Sequence, residues 1–83
     1  MYKIRLSPEA KSQLKKLKII HKDAIASVIE DLKEDPYLGK PLGRELSRRY
    51  SYRVGVYRVI YKIIKEDSVV EVLSAGHRSV VYN

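Results

Sequence analysis

Arg53 and Arg58 flank the segment Val54-Gly55-Val56-Tyr57, and that spacing has a chemical consequence. Gly55-Val56 reads as the central pair of a two-residue hairpin turn, with glycine at the first position of a type II′ turn. Such a turn sets Val54 against Tyr57, Arg53 against Arg58 and Ser51 against Ile60. Like charges directly opposed on a sheet destabilise it by a few tenths to about 1 kcal/mol. An anion lodged between the two guanidiniums removes that repulsion and is held by charge-assisted hydrogen bonds. Arg49 and Lys62 extend the same face, and Arg44 and Arg48 lie just ahead of it. A phosphate-binding face is therefore expected, the plainer alternative being two solvated arginines pointing apart. The tail adds Gly76-His77-Arg78 and Tyr82. Strand alternation sends His77 to the basic face near the turn, while it does not fix the direction of Arg78. Histidine can move protons near neutral pH, and tyrosine can donate a hydrogen bond or stack on a base. A structural role at a strand end stays open for each.

Other chemistries lack their residues. Cysteine is absent, so there is no thiol nucleophile, no disulfide frame and no thiolate zinc site. The two histidines are far apart with no matching carboxylate spacing, so neither a metal centre nor a cofactor is expected. No glycine-rich phosphate loop precedes a helix, and no GxSxG elbow is present. Arginine, tyrosine and one histidine suit metal-independent RNA cleavage, in which the ribose 2′-hydroxyl attacks its own phosphate. The arginines would position that phosphate and stabilise its developing charge.

Composition points the same way. Seventeen Lys plus Arg against ten Asp plus Glu give a net charge of +7, which favours a polyanionic partner. Eight of the ten lysines fall at or before Lys40, and six of the seven arginines at or after Arg44. Because the guanidinium fork matches phosphate geometry better than a hydrated ammonium, the C-terminal half is expected to carry function. Eighty-three residues are enough for one domain, residues 1–83, and too few for two packed cores. The first residues carry no apolar signal-peptide core, and no apolar stretch approaches the roughly 20 residues of a membrane span. A cytoplasmic protein without a membrane partner is expected.

The elements that must position these residues follow from periodicity. Tyr2-Lys3-Ile4-Arg5-Leu6 alternates as a half-buried strand. Ser7 offers a helix N-cap with Pro8 at the first helical position, and Ala10, Leu14 and Leu17 make one stripe. A break is expected near Ile19 to Lys22, with His21 solvated in it. A second stripe runs through Ile25, Val28, Ile29 and Leu32 until Asp35-Pro36 closes it. Tyr37 to Ser47 reads as a loop, and three strands follow, with a turn at Lys65 to Ser68. One sheet face then carries Tyr50, Tyr52, Val54, Tyr57, Val59, Tyr61, Ile63, Val70 and Val72. The other carries Arg49, Ser51, Arg53, Arg58, Ile60, Lys62, Glu71, Leu73 and Ala75. The expected class is α+β: an N-terminal strand, an antiparallel two-helix hairpin, then three antiparallel strands. Together they make a small, mainly antiparallel sheet with helices on one face.

The block Tyr50-Ser51-Tyr52-Arg53-Val54-Gly55-Val56-Tyr57-Arg58-Val59-Ile60-Tyr61, followed by Gly76-His77-Arg78 and Tyr82, resembles the RelE/ParE superfamily of toxins from prokaryotic toxin–antitoxin pairs, and its RelE branch most. The segment Leu42 to Leu46 and the element order match as well, so the resemblance spans essentially the whole chain. It implies a toxin that enters the ribosomal A site and cuts the bound mRNA without a metal. Arg53, Arg58, Arg78 and Tyr82 fall on the positions that act in RelE-type members. Ser51 stands where many of them carry a basic residue, a contact that Arg48 or Arg49 would supply. His77 stands where several relatives have histidine, which some use for proton transfer. The resemblance also implies an acidic, RelB-like antitoxin as partner, and the ribosome with mRNA in its A site. ParE-type members share the fold and poison DNA gyrase without catalysis, which is the alternative; a purely nucleic-acid-binding module is a third reading.

Overall fold

The structure, a computed structural model, describes residues 1–43 and 48–77. Arg44, Arg78 and Tyr82 lie outside the described residues.

Chain order is β1 (Lys3–Leu6), α1 (Pro8–Lys15), α2 (Ile19–Glu34), a 3-10 turn at Pro36–Leu38, β2 (Lys40–Leu42), β3 (Arg49–Val54), β4 (Tyr57–Ile64), a 3-10 turn at Lys65–Asp67, and β5 (Val69–His77). The strands form one sheet in the order β1-β5-β4-β3-β2. β1 runs parallel to β5, and every other pairing is antiparallel. Ala10 of α1 and Ile25, Val28 and Leu32 of α2 are buried against Val59, Tyr61, Ile63, Val70, Val72 and Ala75 of the sheet. The helices thus cover one face, and the expected α+β architecture holds.

Two boundaries differ from the periodicity reading. The break between helices falls at Lys16 to Lys18, so Ile19 to Lys22 is helical and His21 sits half-buried in the first turn of α2. Tyr37 to Ser47 was expected as loop throughout, yet Lys40-Pro41-Leu42 pairs with β3 as an edge strand. Proline is tolerated there because an edge strand has one ladder to make and one side facing away from it. Tyr61 anchors this edge from below. Its ring is fully buried, its hydroxyl donates to Pro36 O at 2.6 Å, and it accepts from Gly39 N–H at 2.9 Å. A Cβ at Gly39 would collide with that hydroxyl, so the entry to β2 requires glycine for space. Burial pushes the Tyr61 phenol up to about 12.

The third difference decides the faces. The β4–β5 register runs Val59↔Ala75 and Ile60↔Ser74, then jumps to Tyr61↔Val72, leaving Leu73 as a bulge. A bulge inserts one residue and so reverses alternation beyond it. The first helix absorbs the freed backbone groups. Ser7 Oγ caps α1 by accepting from Ala10 N–H at 3.0 Å and donates to Leu73 O at 2.9 Å. Ala75 N–H donates to Gln13 Oε1 at 2.9 Å.

Candidate nucleic-acid interface

The register of the β3–β4 hairpin is the one the Gly55-Val56 turn predicts: Val54↔Tyr57, Arg53↔Arg58, Tyr52↔Val59, Ser51↔Ile60 and Arg49↔Lys62. The uncovered face of the sheet therefore carries Arg49 and Arg53 from β3 and Arg58 and Lys62 from β4. Lys40 joins them, since it pairs with Ser51. Periodicity missed Lys40 because the segment reads as loop; the alternation Lys40-Pro41-Leu42 was the available signal.

Arg53, Arg58, Lys40, Ser51, Tyr52, Leu38 and Leu42 line a cavity of about 370 Å³. Beneath the cations the face is buried. Ile60, on the same side as Arg58, is only 5% exposed, and Ser51 beside it is 9% exposed. This buried floor keeps water from one side of the charges, which strengthens their pull on an anion. Arg53 is exposed, whereas Arg58 is half-buried. The Nε of Arg58 is buried and has no hydrogen-bond partner among the described residues. Buried polar groups are ordinarily paired, so this guanidinium N–H beside a second guanidinium is a donor open to an acceptor from outside the described residues. Farther along, Glu71 pairs in register with Lys62. Its carboxylate reaches Arg5 of β1 at 3.6 Å. Positive charge is thus left in excess toward β2 and offset toward β1.

The bulge separates His77 from this site. His77 pairs with Tyr57, not with Arg58, whose partner is Gly76. The strand-alternation expectation that His77 stands on the basic face is corrected: with Leu73 inserted, Ala75 and His77 take the helix-covered side. There the His77 ring meets Tyr57 edge-on at 6.3 Å between centroids. The Tyr57 hydroxyl is hydrogen-bonded to His21 Nδ1, with the rings 4.9 Å apart. His21, read from sequence as solvated, is instead an anchor between α2 and the hairpin. Arg48 and Arg49 are exposed. Arg48 adopts a left-handed backbone conformation, φ 51°.

Among the described residues no cluster of three His, Asp or Glu side chains could hold a metal ion. No described helix is long and apolar enough to cross a membrane.

Comparison with known proteins places this geometry in a family. The family described as "ParE toxin of type II toxin-antitoxin system, parDE" matches residues 4–82. Toxin RelG of Mycobacterium tuberculosis is 37% identical over 86 residues, covering 98% of this chain and 95% of its own. Among solved structures, the toxin–antitoxin complex RelBE2 from Mycobacterium tuberculosis is similar, with 38% identity, a TM-score of 0.75, and 93% of this chain and 98% of that chain covered. The intact RelBE toxin–antitoxin complex of E. coli has a TM-score of 0.82 at 23% identity, covering 93% of this chain and 96% of that one. At that identity the likeness concerns the fold.

Proposed function

Because the chain belongs to the RelE/ParE superfamily of type II toxin–antitoxin toxins, we propose that it is a ribosome-dependent mRNA endoribonuclease of the RelE branch. The observation that carries the reading is the Arg53–Arg58 pair, with the Arg58 Nε buried and unpartnered among the described residues. Two facing guanidiniums over a buried floor suit a reaction whose transition state concentrates negative charge on one phosphate.

In the proposed reaction the ribose 2′-oxygen forms a bond to the adjacent phosphorus, and the bond from phosphorus to the 5′-oxygen of the next nucleotide breaks. The products are a 2′,3′-cyclic phosphate and a 5′-hydroxyl, with no water consumed. One proton leaves the 2′-hydroxyl and one arrives at the 5′-oxygen. Arg53 and Arg58 hold the non-bridging oxygens and stabilise the extra charge of the five-coordinate state. Lys40, Arg49 and Lys62 hold flanking phosphates, with Arg44 and Arg48 proposed beside them. Arg78 and Tyr82 complete the site in this reading, as transition-state stabiliser and as a group that orients or stacks on the RNA. His77 is left out of the proton transfer, since β5 delivers it to the other side of the sheet from the two arginines.

The proposed partners are the ribosome with mRNA in its A site and an acidic, RelB-like antitoxin. The similar structures from Mycobacterium tuberculosis and E. coli are toxin–antitoxin complexes, and the net charge of +7 suits an acidic inhibitor covering the same face. The proposed compartment is the cytoplasm, where that target is. The test is primer extension on a defined mRNA in a reconstituted translation system with the A site vacant, alongside a ribosome-free control. Cuts at the A-site codon that need ribosomes support the reading; intact mRNA from folded protein overturns it. One observation favours a second reading, a non-catalytic gyrase inhibitor: the matching family is described by its ParE members. That reading requires inhibited supercoiling in the same preparation and untouched mRNA.

A further inference from the structure

A cavity of about 560 Å³ opens at the far end of the sheet from the Gly55 turn, lined by Tyr37, Pro41, Leu42, Gly43, Arg48, Arg49, Tyr50, Ile63, Lys65 and Glu66. It holds two tyrosine rings, three cations and the Glu66 carboxylate, whereas the arginine groove holds one tyrosine and three cations. Tyr37 is 46% exposed, yet it is held from several sides. Its ring meets Tyr50 edge-on at 6.0 Å, and Tyr50 in turn stacks on the buried Tyr61 at 5.5 Å with only 15° between planes. The Lys65 ammonium lies 5.9 Å from the Tyr37 ring centroid. Desolvation, with the neighbouring Tyr37 phenol, raises the Tyr2 phenol above its ordinary value. An exposed aromatic side chain normally samples several rotamers, so an exposed ring flanked by Tyr50 and Lys65 is preorganised for a planar ligand.

The cavity and the arginine groove share Leu42 in their linings. Arg49 lines the cavity while belonging to the same face of β3 as Arg53. The four residues from Arg49 to Arg53 span on the order of 13 Å at strand rise. Tyr50, paired with the buried Tyr61, lies on the helix-covered face, so a strand held between Arg53 and Arg58 would reach the cavity by turning past Arg49 at that end of the sheet.

We propose that the Tyr37–Tyr50 cavity is a nucleobase subsite, which takes one unpaired base of single-stranded RNA against the tyrosines while Arg48, Arg49 and Lys65 hold its phosphate. Stacking on tyrosine is tolerant of base identity, because every base has a π-face. The subsite deepens the proposed RNA-cleaving function and rests on it only for the direction of the strand.

The test uses a 2′-O-methyl oligoribonucleotide, which cannot undergo 2′-hydroxyl attack, and a set of the same strand with one base at a time replaced by an abasic residue. Binding to the full chain is followed by fluorescence anisotropy at low salt. The intact strand is expected to lose roughly fivefold or more in affinity on Tyr37→Ala. One abasic position should lose a similar factor with wild-type protein, and Tyr37→Ala should cost that abasic strand nothing further. Tyr37→Phe should retain wild-type affinity, which separates loss of the ring from a folding defect. Equal affinity of wild type and Tyr37→Ala for the intact strand overturns the proposal. So does an equal loss on every abasic strand, which would mean that no single base is seated. Absence of measurable strand binding by wild type also overturns it. If ribosome-dependent cleavage fails while the coupling is present, the nuclease reading falls and the subsite stands.

Discussion

Replacing Arg58 by methionine should make the protein more stable and disable it. The straight apolar stem is kept, so the packing of the strand changes little. Two unfavourable features disappear. The like-charge opposition to Arg53 costs between a few tenths and about 1 kcal/mol. The buried Nε without a partner among the described residues costs a further 1–3 kcal/mol or so for a donor left unsatisfied. Arg58 is half-buried rather than sealed, so solvent relieves part of both, and the expected net gain is about 1–2 kcal/mol. In a domain of this size each kcal/mol moves Tm by roughly 4–8 °C, giving a rise on the order of 5–15 °C. Thermal melts followed by circular dichroism, at low salt and near 1 M NaCl, provide the assay. High salt should shrink the gain by screening the repulsion, and should leave the share due to the buried donor. Added inorganic polyphosphate should raise the Tm of the wild type more than that of Arg58→Met, because only the wild type offers the full anion position. A variant that melts at or below wild type in low salt would refute the argument that Arg58 costs the fold stability.

Tyr61→Phe removes the hydroxyl that accepts from Gly39 N–H and donates to Pro36 O, and should lower stability by about 1–3 kcal/mol in denaturant titrations. The same residue sets a pH limit. Its folded pKa of about 12 lies above the ordinary phenol value of 10.0, so its contribution is complete below pH 10 and is lost as pH rises through the folded value. That loss is worth about 3 kcal/mol, and the wild type should lose stability between pH 10 and 12 more steeply than Tyr61→Phe. Ser7→Ala deletes both the α1 cap and the bond to the bulge carbonyl of Leu73; a cost of about 1–2 kcal/mol is expected by chemical denaturation.

The hairpin that builds the arginine pair was legible because its turn residues and its alternation agree: a slip of one residue would bury Arg53 and Arg58 and expose Tyr52 and Tyr57. The helix stripes were legible for the same reason. The β5 bulge was not, since an inserted residue leaves only a weak mark. Here the mark was Ala75, buried out of step with Val70 and Val72, and missing it put His77 on the wrong side. The edge strand Lys40–Leu42 was hidden by Pro41, and with it Lys40's place beside the arginines. The tyrosine cavity was beyond reach of periodicity, because Tyr37 and Tyr50 meet only through tertiary packing. Arg44, Arg78 and Tyr82 lie outside the described residues and keep their sequence-based roles as proposals.

The central claim is that Arg53 and Arg58 together hold the phosphate that is cut. Single-turnover cleavage of ribosome-bound mRNA with a vacant A site tests it most directly, comparing wild type with Arg53→Ala, Arg58→Ala and the double variant. Each preparation is first checked for its melting transition. The account predicts a loss in cleavage rate of roughly a hundredfold or more for Arg58→Ala, a smaller loss for the exposed Arg53, and a double variant well short of the product of the two. Folded Arg58→Ala protein that cuts at the wild-type rate would contradict it.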